Sequence, residues 1–173
     1  MPGLDELPQK PWGKSDTSVV KPVLMARGTL ESIDFAKTRR LGEALGFVCT
    51  EVAPDRMLMR HRSDRPGTTY WVLEVRRVAA VRSPQHMTNH WGIWVPTRRD
   101  VDDAYVLLAA SVEELGLVRV QKPRPTHEGA RDYSFYFEDI SRNWWEIGEH
   151  PDEDDFMDLF GHGDWDQREE ITT

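Results

Sequence analysis

The chain has 173 residues, enough for one globular unit with a buried core and too few for a large multidomain enzyme. Its single cysteine, Cys49, excludes an intramolecular disulfide and a zinc site built from several thiolates. The net charge is −8, and nine carboxylates with one arginine between residues 151 and 173 account for all of it. A neutral body with an acidic tail repels phosphate backbones, so nucleic acid is not an expected partner.

The sequence gives no indication of a membrane protein. It holds no apolar stretch long enough to span a bilayer, and the N-terminus lacks the basic and apolar regions of a secretory signal. We therefore expect a cytoplasmic location and no membrane partner.

The first repeated unit is predicted to span residues 22–77, after an extended N-terminal arm of residues 1–21. It begins with the strand candidate PVLMARGTLESID. Asp34 then stands at the N-cap position of the helix FAKTRRLGEALG, which is predicted to stop at Gly46. Three strands should follow, FVCTEVA, RMLMRHR and TTYWVLEVR.

The second unit, residues 88–150, repeats this order after a linker of residues 78–87. A strand NHWGIWVP precedes the helix DVDDAYVLLAASVEELG, which we expect to be capped by Asp100 and stopped by Gly116. The strands LVRVQ, DYSFYFED and NWWEIGEH follow, and residues 151–173 form the acidic tail. Since one unit cannot bury its sheet face alone, we predict an α+β fold. Two repeated βαβββ units would form one curved, mixed and mainly antiparallel sheet around a cleft.

Strand parity places an unexpected carboxylate among tryptophans in the last predicted strand. Alternate residues of a strand point the same way, so Glu146 shares a face with Trp144 and Gly148. A buried carboxylate needs a cationic partner or a metal ion, so Glu146 either pairs with an arginine or acts as a ligand. Glu74 is its counterpart in the fourth strand of the first unit.

His90 is the histidine that could complete such a site. A single histidine in a strand is as compatible with packing as with metal binding. Together with Glu74 and Glu146, however, it would provide one imidazole and two carboxylates. That set suits Fe(II), Mn(II), Zn(II) or Ni(II) and leaves coordination positions for water and substrate.

Residues 22–150 resemble the vicinal oxygen chelate superfamily, which includes glyoxalase I, bleomycin resistance proteins and type I extradiol dioxygenases. The resemblance rests on the doubled unit, on RGTLESIDFAKTRRLGEALGF, on NHWGIWV and on SFYFEDISRNWWEIG. It implies metal ligands from the first and fourth strands of paired units, a small-molecule substrate and a homodimer. The corresponding positions here are Arg27 or Gly28, Glu74, His90 and Glu146.

The segment THEGARDYSFYFEDISRNWWEIGEH has a closer likeness to the extradiol dioxygenases. Their last motif contains a histidine, an apolar residue followed by a tyrosine, and a glutamate ligand. The residues that fit this spacing are His127, Phe135, Tyr136 and Glu146. The likeness implies a metal-dependent, extradiol-type dioxygenase that cleaves a catechol-like substrate, with Fe(II) as the first choice of metal.

The resemblance also implies roles for individual residues. His90 and Glu146 would bind the metal, with Glu74 as a third candidate. His127 would act as the acid and base, and Tyr136 would donate a hydrogen bond to a substrate oxygen. A loop position for His127 and simple strand packing for Tyr136 remain alternatives.

Two other functions are compatible with the same resemblance. One is a glyoxalase-like isomerase or lyase, which the paired carboxylates favour. The other is a metal-free binding or resistance protein in which aromatic side chains enclose a flat ligand. The aromatic residues considered for that role are Trp71, Trp91, Trp94 and Tyr136.

Overall fold

The computed structural model describes residues 27–62, 70–125 and 133–149, which belong to the compact unit Leu24–His150. The predicted arm, the acidic tail and His127 lie outside the described residues. The first half contains β1 (Arg27–Ser32), α1 (Phe35–Ala44), β2 (Val48–Ala53), β3 (Arg56–Arg62) and β4 (Tyr70–Arg77). The second half contains β5 (Trp91–Val95), α2 (Arg98–Ala110), α3 (Val112–Leu115), β6 (Leu117–Val120), β7 (Arg124–Pro125), β8 (Tyr133–Asp139) and β9 (Trp144–Glu149).

The strands form two mixed sheets, one from each half of the unit. The first has the order β1-β4-β3-β2, and the second has the order β5-β9-β8-β6 with β7 paired to β8. The first strand of each half is parallel to the last, whereas the other pairings are antiparallel. The α+β class and the doubled βαβββ unit are therefore confirmed, and the short strand β7 is an addition that the sequence did not predict.

Both sheets and the helices contribute to one hydrophobic core. The strand residues that face this core are Met57, Met59, Leu73, Val75, Phe135, Phe137, Trp145 and Ile147. Each of them is at most 3 % exposed. Because side chains alternate along a strand, residues of the other parity lie on the opposite face of each sheet. Glu74 and Glu146 are on those opposite faces.

Helix α1 begins and ends where the sequence predicts. The Oδ1 atom of Asp34 accepts a hydrogen bond from the backbone N–H of Lys37 at 3.0 Å, which satisfies one of the free donors of the first turn. Beyond Leu45 the chain passes through Gly46, whose φ of +86° is easily reached only without a Cβ atom.

The prediction that Asp100 caps the second helix is wrong, because α2 starts one turn earlier at the N-cap Thr97. The Oγ1 atom of Thr97 accepts a hydrogen bond from the backbone N–H of Asp100 at 3.2 Å. The Asp100 carboxylate accepts one from the Thr97 hydroxyl, so the two side chains are also hydrogen-bonded to each other in the first turn. The helix also breaks at Ser111 before the short α3, and Gly116, with φ +66°, ends α3 as predicted.

Strand β1 is the element that joins the two halves. A Cβ atom added at Gly28 would overlap the indole of Trp91, which precludes any larger residue there without rearrangement. The Nδ2 atom of Asn143 donates to the carbonyl of Glu31 at 3.1 Å, and the backbone N–H of Ile33 donates to the Ser141 hydroxyl at 3.1 Å. The β8–β9 turn is thus hydrogen-bonded to the first sheet.

None of the helices in the described residues is long and apolar enough to cross a membrane.

Candidate functional site

His90 and Glu146 are brought together by the parallel pairing of β5 with β9. Glu146 is the register partner of Gly92, and His90 lies two residues before Gly92, immediately ahead of β5. The Nε2 atom of His90 is 2.9 Å from Oε2 of Glu146. The two side chains are 23 % and 15 % exposed, so the pair is enclosed but still reachable from solvent.

The other nitrogen of the His90 ring fixes which atom carries a proton. Nδ1 is 2.7 Å from the carbonyl oxygen of Met87, and a carbonyl can only accept, so Nδ1 carries hydrogen and donates. In the neutral ring this leaves a lone pair on Nε2. A hydrogen bond between Nε2 and Oε2 therefore needs a hydrogen on one of the two atoms. Without it, two lone pairs face each other.

This geometry fits two ligands of a divalent cation. Nε2 of His90 and Oε2 of Glu146 are 2.9 Å apart, and imidazole nitrogen and carboxylate oxygen are common ligands of such ions, so these two atoms would hold one ion together. A ligating histidine also commonly donates its second ring N–H to a carbonyl, as His90 does to Met87. Within residues 27–62, 70–125 and 133–149, however, no three His, Cys, Asp or Glu side chains are grouped closely enough to hold a metal ion.

Tyr136 completes the cluster from the neighbouring strand β8. It is the register partner of Glu146, and its ring stands edge-on to that of His90 with the centroids 5.0 Å apart. Burial, followed by hydrogen bonding to Glu146, raises the pKa of Tyr136 to about 12. The phenol therefore keeps its proton at neutral pH and acts as a hydrogen-bond donor.

Glu74 has different surroundings from Glu146. It is 4 % exposed, and its Oε1 atom lies 3.0 Å from Nε of Arg76. Its register partners are Thr29 in β1 and Leu58 in β3. The described residues do not bring it into a three-residue metal-binding group with His90 and Glu146.

The strand register identifies the residue of the first half that corresponds to His90. Glu74 is paired with Thr29 as Glu146 is paired with Gly92. Two residues before Thr29 is Arg27, so Arg27 and not Gly28 holds the position equivalent to His90. Gly28 instead corresponds to Trp91, against which it packs.

Comparison with solved structures identifies the fold. The fosfomycin resistance protein FosX of Listeria monocytogenes matches with a TM-score of 0.56 at 16% identity, over 76% of this chain and 96% of that one. A glyoxalase-related enzyme of Fulvimarina pelagi matches with a TM-score of 0.56 at 19% identity, over 75% and 90% of the two chains. A glyoxalase/bleomycin resistance protein/dioxygenase of Alicyclobacillus acidocaldarius matches with a TM-score of 0.52 at 18% identity, over 78% and 96%. The chain has the vicinal oxygen chelate fold.

Comparison by sequence adds no closer relative, because no protein-family model and no curated protein matches the chain. At these identities the vicinal oxygen chelate fold defines the architecture. The chemistry has to be inferred from the side chains that this chain places on the fold.

Two glycines lie on the face of the second sheet that carries His90, Glu146 and Tyr136. At Gly148, an added Cβ atom would lie 3.1 Å from a ring carbon of Trp94, so the indole covers that position. At Gly92, no described residue other than its two chain neighbours has an atom within 4 Å of the Cβ position. Among the described residues, the face is therefore open next to Glu146. Glycines that share parity with His90 and Glu146 are the sequence signal that could have located this opening.

The structure does not gather the four aromatic residues predicted to enclose a flat ligand. Trp71 and Trp91 have the parity of core residues and contact each other edge-on, with centroids 6.2 Å apart. Trp94 and Tyr136 have the parity of the site residues His90 and Glu146. Any aromatic contact to a ligand beside Glu146 is thus expected from Trp94 and Tyr136 alone among these four.

Proposed function

We propose that this protein is a metal-dependent enzyme that acts on a small molecule bound beside His90, Glu146 and Tyr136. The observation that supports the proposal is the 2.9 Å separation of Nε2 and Oε2, with the opposite ring nitrogen of His90 bonded to a backbone carbonyl. A bound divalent ion would polarise a substrate oxygen and stabilise the negative charge that develops on it.

The residues of the cluster have distinct roles in this proposal. His90 and Glu146 hold the ion, which is Fe(II) in the first instance and otherwise Mn(II), Zn(II) or Ni(II). Tyr136, which stays protonated, donates a hydrogen bond to the substrate. Glu74 stays a predicted third ligand, and binding would require its carboxylate to leave Arg76. His127 stays the predicted acid and base.

The reaction proposed first is extradiol-type cleavage of a catechol-like substrate, which the spacing of His127, Tyr136 and Glu146 supports. A glyoxalase-like isomerase or lyase reaction is the alternative within the same metal-dependent proposal, because Glu74 and Glu146 occupy equivalent register positions. A homodimer and a cytoplasmic location remain part of the proposal.

A metal-free binding or resistance protein is the second candidate, and the register of β1 favours it. Arg27 takes the position that corresponds to His90. Arginine is cationic at every physiological pH, so this substitution disfavours a divalent cation nearby and favours an anionic ligand.

Metal analysis tests the proposal. Protein purified without chelator and reconstituted anaerobically with Fe(II), Mn(II), Zn(II) or Ni(II) should bind one of these ions stoichiometrically. His90→Ala and Glu146→Gln should each lose it. His61→Gln, which changes an exposed histidine of β3, is the matched control and should retain it. A wild-type protein that binds none of the four ions after reconstitution would rule out the metal-dependent function and leave the binding protein.

Oxygen consumption then distinguishes the two reactions. The reconstituted protein should consume oxygen with at least one member of a panel of catechols and hydroquinones. A metal-loaded protein that consumes none with any of them would contradict the dioxygenase and favour the isomerase or lyase.

A further inference from the structure

The segment that leads to His90, residues 85–90, is attached to the β8–β9 turn through Gln85. The backbone N–H of Gln85 donates to the carbonyl of Arg142 at 3.0 Å. Its side-chain Oε1 accepts from the backbone N–H of Trp144 at 2.9 Å. Gln85 is therefore hydrogen-bonded to Arg142 in the turn and to Trp144, the first residue of β9, which is the strand that carries Glu146.

The interior of the 85–90 segment is closed by its own hydrogen bonds. The backbone N–H of Asn89 donates to the carbonyl of His86 at 2.7 Å, and the His86 ring lies 3.1 Å from the hydroxyl of Thr88. This short turn leaves the carbonyl of Met87 directed at Nδ1 of His90, 2.7 Å away.

Met87 is also connected to β8, the strand that carries Tyr136. Its sulfur accepts a hydrogen bond from the side-chain amide of Gln121 at 3.2 Å. The backbone N–H of Gln121 donates to the carbonyl of Tyr136 at 2.9 Å. The residue that accepts from His90 is thus connected to the strand of Tyr136, while Gln85 connects the same segment to the strand of Glu146.

We propose that the 85–90 segment fixes the ring orientation and tautomer of His90, and that Gln85 is the positioning residue for this histidine. The two tautomers of a neutral imidazole are close in energy, so a rigid carbonyl acceptor determines which nitrogen carries hydrogen. Here it directs Nε2 toward Glu146. The inference rests on the proposed function only because it assumes that His90 takes part in the function of the site.

The test compares two substitutions of similar size at position 85. Gln85→Met removes the acceptor for the Trp144 N–H, whereas Gln85→Glu keeps it. In wild-type protein the hydrogen-bonded Nδ1–H of His90 should give a slowly exchanging proton resonance, assigned by its absence in His90→Gln. Gln85→Met should lose this resonance, and Gln85→Glu should retain it.

Zinc affinity provides the second measurement. Because supporting contacts to a ligating histidine typically change metal affinity by about 10-fold to 100-fold, Gln85→Met should weaken Zn(II) binding by that factor and Gln85→Glu should restore it. If Gln85→Met does not fold, Gln121→Leu removes the contact to Met87 alone and should also weaken the Nδ1–H resonance. Wild-type behaviour of the resonance in the folded variant would overturn the proposal.

The two measurements separate this inference from the proposed function. The Nδ1–H resonance is recorded without metal, so it decides the positioning role even if the wild-type protein binds no ion. A wild-type protein that binds zinc, with an unchanged His90 resonance in Gln85→Met, would leave the proposed function standing and remove Gln85 from it.

Discussion

Glu74 in β4 and Glu146 in β9 hold the same register position in their sheets, yet Leu58 lies opposite the first and Tyr136 opposite the second. Glu74 is paired with Arg76 and Glu146 with His90. The two units therefore carry a carboxylate at the same register position, with different partners around it. The second sheet brings a carboxylate, an imidazole and a phenol together in Glu146, His90 and Tyr136.

This difference predicts that the two carboxylates respond differently to neutralisation. Glu146→Gln should lose metal because it removes one of the two paired ligand atoms. Glu74→Gln should weaken metal binding less, because the Glu74 carboxylate has to leave Arg76 before it can act as the third ligand. Metal content after reconstitution measures both. A loss of metal in Glu74→Gln as large as that in Glu146→Gln would contradict this difference.

Tyr136→Phe should keep the metal and lose turnover. The substitution preserves the ring that contacts His90 and removes only the hydroxyl donor. Removing one donor to a developing oxyanion typically lowers kcat by about 100-fold to 1,000-fold. The comparison is kcat and metal content of the variant against wild type, on whichever catechol supports oxygen uptake. An unchanged kcat would reduce Tyr136 to a packing role.

Cys49 should be nearly inert as a thiol at pH 8. Burial, followed by the neighbouring charge of Glu43, raises its pKa from 9.0 to about 11. The reactive thiolate is therefore depleted by roughly 100-fold, and alkylation by iodoacetamide should be slower than in urea by that factor. The folded state binds this proton more tightly than the unfolded state, so its contribution to stability is complete below pH 9 and is lost as the pH rises through 11.

The variant Glu43→Gln provides the control for this prediction. It removes a negative charge near Cys49 without changing the burial of the sulfur, so alkylation at pH 8 should accelerate modestly. Equal rates in native and urea-unfolded protein would contradict the assignment.

Asp139→Asn should destabilise the protein by about 1 to 3 kcal/mol, the typical cost of a buried unsatisfied group. One carboxylate oxygen of Asp139 accepts from the backbone N–H groups of Ser141 and Asn143, and the other accepts from the indole N–H of Trp145. Either orientation of an amide would direct an NH₂ group at a donor. Urea unfolding measures the change, and the exposed Asp103→Asn should be nearly neutral beside it.

Gly28→Ala should destabilise the protein at the contact between β1 of the first sheet and β5 of the second. The added methyl overlaps the indole of Trp91 and lies 2.9 Å from Leu73, and overpacking of this kind costs about 1 to 3 kcal/mol. Trp91→Leu, which removes the obstructing ring, should make Gly28→Ala less costly in the double variant. Additive losses in a double-mutant cycle of thermal unfolding would show that the two positions are not coupled.

Much of the fold follows from local signals in the sequence. Asp34 and Gly46 mark the ends of α1, and the repeated order of strands and helix predicts the paired units. The sequence does not locate the start of α2, because Thr97 and Asp100 are both good N-cap residues three positions apart. Only the hydrogen bonds show that they act together.

The sequence predicts only part of the site. The reason why the rest is not predictable is different for each residue. Parity is enough to place Glu146 on the same face as Trp144 and Gly148, opposite Trp145 and Ile147. It cannot choose between Arg27 and Gly28 as the counterpart of His90, because a slip of one residue between β1 and β4 exchanges the two faces. The hydrogen-bond acceptor for Nδ1 of His90 is the backbone carbonyl of Met87. Every residue type has this carbonyl, so the residue at position 87 does not reveal the contact.

The two halves share one hydrophobic core, and Asn143 donates to Glu31 while Ser141 accepts from Ile33, so neither half is complete without the other. Cleavage in the linker between β4 and β5 would yield two fragments, each with only part of the apolar surface that it needs. Such fragments should fold by complementing each other and co-elute as a non-covalent pair, whereas either one alone should remain unfolded. The repeated unit describes the topology of each half, while the folding unit is the pair of halves.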